Sequence, residues 1–195
     1  ALRQVGVKAI IGCSRFGQTD QTEIAMQSAV ELFSIRHVCG FGPNLPDGIV
    51  PLDDIFLREG ANATVSVPRL GPAAAHVAAI TFYPDASGLA PIARSHVELV
   101  AGGLETFLES GAGTDTPTLS TIPIGSFAGM ALTVIPWLLC GGALHLHHSF
   151  DPHAFDAQYR AVTDGTVILP AVAVAALGEC ATFDHAGRTV VALWR

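Results

Sequence analysis

Tyr83, Asp85, Ala86, Ser87 and Gly88 sit close together, with Ser95 and His96 a short step further on. A small-residue loop leaving a buried strand presents backbone amides, and backbone amides hold phosphate. The same residues also make an ordinary turn. Ser95 beside His96 suggests nucleophilic chemistry, but adjacent helical residues point apart. Ser95 with Glu98 fits a capping box instead. Residues 12–19, GCSRFGQT, follow a G-x-x-x-x-G-K-T spacing with Gln18 where the lysine belongs. Without that charge the grip on β- and γ-phosphates is missing, so the stretch reads as a strand-to-helix turn. His145, His147, His148 and His153 are metal ligands by count, and His145 and His147 would share one face of a strand. Asp151 is better used as a helix cap, no second ligand cluster is evident, and no metal site is expected. Thr163-Asp164-Gly165 reads as a turn.

These residues need elements to hold them. Residues 79–82 are β-type and apolar, 83–91 have loop composition, and a helix is expected from Ser95 to Glu109. Its predicted apolar stripe is Val97, Val100, Ala101, Leu104, Phe107 and Leu108. Upstream, strands over 8–13 and 37–41 flank a helix capped by Asp20 with Glu23, whose apolar face is Ala25, Ala29, Leu32 and Phe33. Residues 62–78 connect the two regions. Residues 110–117, SGAGTDTP, read as a linker, which divides the chain into lobes 1–114 and 115–195. The second lobe alternates strands and helices: 119–122, 130–139, 143–147, 152–162, 167–169, 171–177 and 190–193. Continuous apolar strands alternating with helices predict an α/β fold, mostly parallel sheets with helices on both faces.

Several segments, in one order, resemble the adenylate-forming enzymes: acyl-CoA ligases, luciferases and peptide-synthetase adenylation domains. Residues 5–11, VGVKAII, are similar to that family's G-V-K-A-L-I strand. Residues 82–96 resemble its T-S-G-T-T-G-x-P-K-G loop with the later S-H; Gly88, Ser95 and His96 match, most hydroxyl positions do not, and there is no lysine. Residues 119–129 resemble L-P-L-F-H-x-x-G, residues 137–155 a G-G-x-L-V-L-x-x-x-F-D-P-x-x-F run, and residues 166–177 a V-T-x-L-x-x-V-P run. The resemblance implies part of that family's N-terminal domain, and with it ATP and Mg²⁺, an acyl-adenylate and transfer to a thiol such as CoA. By position, Tyr83, Asp85, Ala86, Ser87 and Gly88 would contact the ATP phosphates. Gly125, Ser126, Phe127 and Gly129 would border the acid, and Gly125 and Ser126 replace the family's aromatic and histidine. No catalytic residue is carried over: the family's adenine-binding, ribose-binding and catalytic-lysine motifs have no counterpart before Arg195. The expectation is therefore a piece of an acyl-CoA ligase for a hydrophobic acid, inactive alone. The alternative is a degenerate, non-catalytic α/β module binding an acyl group, a nucleotide or a protein partner.

Composition narrows the partners. The net charge is −7 and Lys8 is the one lysine, which argues against nucleic acid. Half of the residues are hydrophobic and 14% charged, implying surfaces that invite homo-oligomers. Cys13, Cys39, Cys140 and Cys180 lack C-x-x-C spacing and read as buried thiols of a reducing, cytoplasmic setting. Residues 119–150 carry no Asp, Glu, Lys or Arg, but prolines and glycines break the run, so no membrane span is expected.

Overall fold

Leu119, Val167 and Leu169 alternate with Ser120, Thr166 and Ile168, and all six are buried. Alternate residues of a strand face opposite ways, so these strands must be covered on both sides. That is what the computed structural model shows over the residues it describes, 1–53, 55, 71–86, 88–178 and 187–194. Contacts divide the chain into two units: Ala1–Arg69 with Asp85–Pro91, and Leu70–Pro84 with Ile92–Arg195.

The first unit opens with a helical turn, α1 (Leu2–Val5), and strand β1 (Ala9–Cys13). A short ribbon, β2 (Arg15–Phe16) with β3 (Thr19–Asp20), leads into α2 (Gln21–Glu31). β4 (His37–Phe41) and β5 (Val50–Pro51) complete a parallel sheet in the order β1-β4-β5. The strand-to-helix turn expected at residues 12–19 is this ribbon. Asp20 caps α2 by accepting from Thr22 N and Glu23 N. α2 packs on β1 and β4, while on the other face Ile11 is 64% exposed. Phe33, expected on the buried face of α2, falls beyond the helix end and is exposed. Of the thiols expected to be buried, Cys13 is exposed and Cys39 and Cys140 are half-buried; Cys180 lies outside the described residues.

β6 (Val77–Asp85) and β7 (Gly88–Ser95) form a two-stranded sheet, of which Asp85–Pro91 counts with the first unit and the rest with the second unit. Residues 83–91, expected as a loop, are therefore mostly strand. Only two residues join β6 to β7, so the pairing is antiparallel. α3 (His96–Ser110) follows at once. Segment 110–117, expected as the lobe boundary, runs inside this unit: Gly111 ends α3 with φ 63, and Gly113 N donates to Thr116 Oγ1. β8 (Thr118–Ser120), β9 (Leu144–Leu146), β10 (Thr166–Pro170) and β11 (Thr189–Leu193) form an all-parallel sheet in the order β11-β10-β8-β9.

Helices cover both faces of this sheet. On one, Phe155 and Tyr159 of α5 (Pro152–Ala161) pack with Leu119, Val162, Val167 and Leu169, and Val174 and Leu177 of α6 (Ala171–Gly178) join them. On the other lies α4, a continuous helical segment 127–140 with a π-helical stretch at Met130–Val134. Its Thr133 hydroxyl donates to Ser120 Oγ at 3.0 Å, so the two buried hydroxyls satisfy each other.

α3 packs on α4 through glycine. A Cβ on Gly103 would lie 1.9 Å from the Ala131 carbonyl oxygen. The contact line is thus Leu99 and Gly103, both buried, and not the predicted stripe, of which Val97, Leu104 and Leu108 are exposed. The glycine lets the backbones meet and thereby chooses which face turns inward. Gly103→Ala forces two backbones apart, a cost of roughly 3 kcal/mol in a urea melt. Gly102→Ala meets the movable ring of Phe127 instead and costs less.

Candidate functional site

β8, β10 and β11 run parallel, so their carboxyl ends share one edge of the sheet. Ile122 lies just past β8; Pro170 ends β10 and runs into Ala171 and Val172 of α6; Leu193 ends β11 before Trp194. With Ala128 of α4 these residues line a cavity of about 610 Å³. Among the described residues the lining is mostly apolar, and the Trp194 indole N–H is its one side-chain hydrogen-bond donor. Crevices outside the carboxyl ends of parallel strands are where α/β sheets receive ligands, and this volume lies in the range of small-molecule sites.

The turn before α4 forms part of this edge. Ser126 Oγ donates to Pro123 O at 2.8 Å and accepts from Gly129 N at 3.0 Å. A Cβ on Gly129 would lie 2.1 Å from Pro123 O, so the turn closes only on glycine. The Phe127 ring lies under the Arg94 guanidinium, 4.4 Å from its centroid, and against Gly102. Gly125 is exposed. Of the four residues expected to border an acid, Ser126 and Gly129 build the turn, Phe127 faces α3, and Gly125 stands at the surface. The lining residue in their midst is Ala128. Sequence reading passed over Ala128, Pro170, Ala171 and Leu193, although the predicted strand ends pointed to them.

The bend between β6 and β7 is a separate feature. Tyr83, Asp85, Ala86 and Gly88 are all exposed, and Ser87 lies outside the described residues. Gly88 has φ 124, where side chains are strained, and open space stands where its Cβ would be. The bend suits close approach of a ligand to backbone, yet its one charged side chain is a carboxylate. Beyond it, Ser95 N and Oγ both donate to Glu98 Oε2 at 2.8 Å, and Ser95 Oγ accepts from Glu98 N. Ser95 is a cap and has no free hydroxyl for attack. The Ser95 amide, then its hydroxyl, hold the Glu98 carboxyl below its ordinary range.

His147 is buried and committed. Its Nε2 accepts from Asp151 N at 3.0 Å, so Nδ1 carries the hydrogen and donates to Gln158 Oε1 at 2.9 Å. Phe150 and Phe155 stand edge-on around it. Among the described residues no group of three His, Cys, Asp or Glu could hold a metal. No helix among them is long and apolar enough to cross a membrane.

A red-emitting luciferase from Phrixothrix hirtus superposes with a TM-score of 0.74 at 12% identity, over 98% of this chain and 37% of its own. The fold is that of part of the N-terminal domain of adenylate-forming enzymes. A candidate long-chain-fatty-acid CoA ligase from Rhodopseudomonas palustris gives 0.74 at 18% identity, over 100% of this chain and 46% of its own. ATP-bound MatB from the same organism gives 0.69 at 15% identity, over 98% and 36%. The chain thus spans less than half the length of each. No family model matches the sequence, and no curated protein does.

Asp151 offers a direct test of how α5 is held at the β9 side of the sheet. It caps α5 by accepting from Ala154 N at 2.8 Å, with Pro152 at the first helical position. That amide lowers the Asp151 carboxyl below its ordinary range. A carboxyl depressed by folding contributes stability above the unfolded carboxylate range and loses it as pH falls through the folded value. Asp151→Ala should lower the melting temperature at neutral pH, and the gap to the unsubstituted chain should close in acid. Asp151→Asn should keep the cap with a flatter acid limb of the melting profile.

Proposed function

We propose that this chain is part of an ATP-dependent ligase. In this reading it activates a hydrophobic carboxylic acid as an acyl-adenylate and passes the acyl group to a thiol such as that of CoA. The observation that carries the reading is the apolar cavity at the carboxyl edge of the second sheet, in a fold shared with ligases and luciferases. The acid's apolar part occupies the cavity, beside the turn that includes Gly125, Ser126, Phe127 and Gly129. An acid oxygen attacks the α-phosphorus of ATP, pyrophosphate departs, and the thiol then displaces AMP. Backbone amides about Tyr83, Asp85, Ala86, Ser87 and Gly88 hold the departing phosphates, which stabilises charge on the leaving group. The described residues build no metal cluster of their own. Mg²⁺ in this reading arrives on the phosphates, where it neutralises charge. The chain covers under half of the ligase and luciferase it matches, so turnover is proposed for a longer protein, cytoplasmic and acting in fatty-acid metabolism. Exposed apolar residues such as Ile11 and Leu108 are then covered by further protein or by a second copy.

A second reading is a non-catalytic module that keeps the acyl cavity and has lost the nucleotide. The absence of a lysine and of most hydroxyls from residues 83–94 favours it.

The two readings part in an ATP–pyrophosphate exchange assay on the full-length protein, with a panel of fatty and aromatic acids. The ligase gives acid-dependent exchange. Its absence from a folded protein leaves the second reading. Gly88→Val, strained at φ 124, should raise the KM for ATP at least tenfold while lowering the melting temperature by only a few degrees. Unaltered ATP dependence would take the bend out of the nucleotide site.

A further inference from the structure

We infer that Arg94 is a positioning residue: by holding the Phe127 ring it fixes where the turn of residues 123–129 sits, and with it the border offered to the acid. The inference rests on the ligase reading for the acid, and on the contacts themselves for the tie.

Three elements meet at this ring. Arg94, near the end of β7, lays its guanidinium over the Phe127 ring, 4.4 Å from the centroid. Its Nε donates to Thr81 Oγ1 of β6 at 3.3 Å, and Thr81 is only 3% exposed. That bond pins the guanidinium to the neighbouring strand. The ring also meets α3, where a Cβ on Gly102 would come within 2.6 Å of its Cζ. Arg94 pairs with no carboxylate among the described residues, and the Glu98 carboxylate is engaged by the Ser95 amide and hydroxyl instead. The half-buried guanidinium is answered by the negative face of the aromatic ring.

The shape of the turn and its place are set by different contacts. Ser126 Oγ on Pro123 O, and Gly129 against Pro123, join the turn to itself and so travel with it. Phe127 joins it to β7 and α3. The next residue along is Ala128, which lines the cavity. A turn released at Phe127 keeps its form and loses its place, and a misplaced wall weakens the hold on the acid while leaving the hold on ATP. An ammonium cannot stand in fully: lysine keeps the charge but has neither the planar face nor the Nε donor.

The test is a double-mutant cycle of Arg94→Gln and Phe127→Leu, read in ATP–pyrophosphate exchange on the full-length protein and in urea melts of the same variants. Arg94→Gln should raise the KM for the acid about fivefold, the size of one partly desolvated cation–π contact, with the KM for ATP changed less than about twofold. Arg94→Lys should fall between Arg94→Gln and the unsubstituted protein. Phe127→Leu should act in the same direction, and the double variant should be little worse than the worse single one. If Phe127→Leu does not fold, Thr81→Val takes its place in the cycle, removing the acceptor of Arg94 Nε with little change of outline. An equal rise in both KM values, an unchanged acid KM in folded Arg94→Gln, full rescue by lysine, or single effects that simply multiply would each overturn the inference. If no acid drives exchange, the ligase reading falls and the melts decide the tie: non-additive midpoints keep it, additive ones remove it. Acid-dependent exchange with independent effects of the two substitutions would do the reverse.

Discussion

The parallel pairing of β8 with β10, Thr118 against Thr166 and Ser120 against Ile168, is the constraint on which the second unit depends. Both strands are buried on both faces, so each residue has one side on which it can be satisfied. A slip by one position would turn Leu119 and Val167 out of the aromatic core and push Ser120 into it. Register therefore fixes three things together: the Phe155–Tyr159 packing, the Ser120–Thr133 hydroxyl pair, and the level at which the strands stop. The cavity is a consequence of the last. It opens where β8, β10 and β11 end and the chain must turn into helix or surface.

The bend of the β6–β7 hairpin shows a different economy. Pro84 and Pro91 would break a central strand, since proline offers no amide to the ladder. A two-stranded ribbon has outer sides where no amide is needed, so both are accommodated. The result is an exposed tip carried on ordered strands, with a glycine at positive φ beside it.

Much of this was legible in the sequence, and the exceptions have physical causes. β4 lies where its apolar run placed it, and the strands and helices from β8 onward follow the predicted alternation to within three residues. The Ser95–Glu98 box and the Asp151 cap also follow from local chemistry, because their partners are three residues away. What local chemistry could not give is the face of α3. Hydrophobic periodicity ranks residues by size, whereas the inward face was chosen by Gly103, the residue with no side chain. Pairing likewise overrode composition at residues 83–91, where turn-forming residues became strand. At the candidate site, the turn of residues 123–129 was anticipated as a border. The lining itself was not, because it is assembled from the ends of three strands far apart in sequence.

The π-helical stretch Met130–Val134 has a further consequence. Such a stretch carries one residue more than the α-helical turn that could replace it. Loss of a single amino acid there would let the helix run on as regular α, rotating everything ahead of it by about 100°. Ala128 would swing away from the hollow it helps to wall, while every strand stayed in place. A one-residue deletion in this stretch would thus reshape the hollow without rebuilding the sheet.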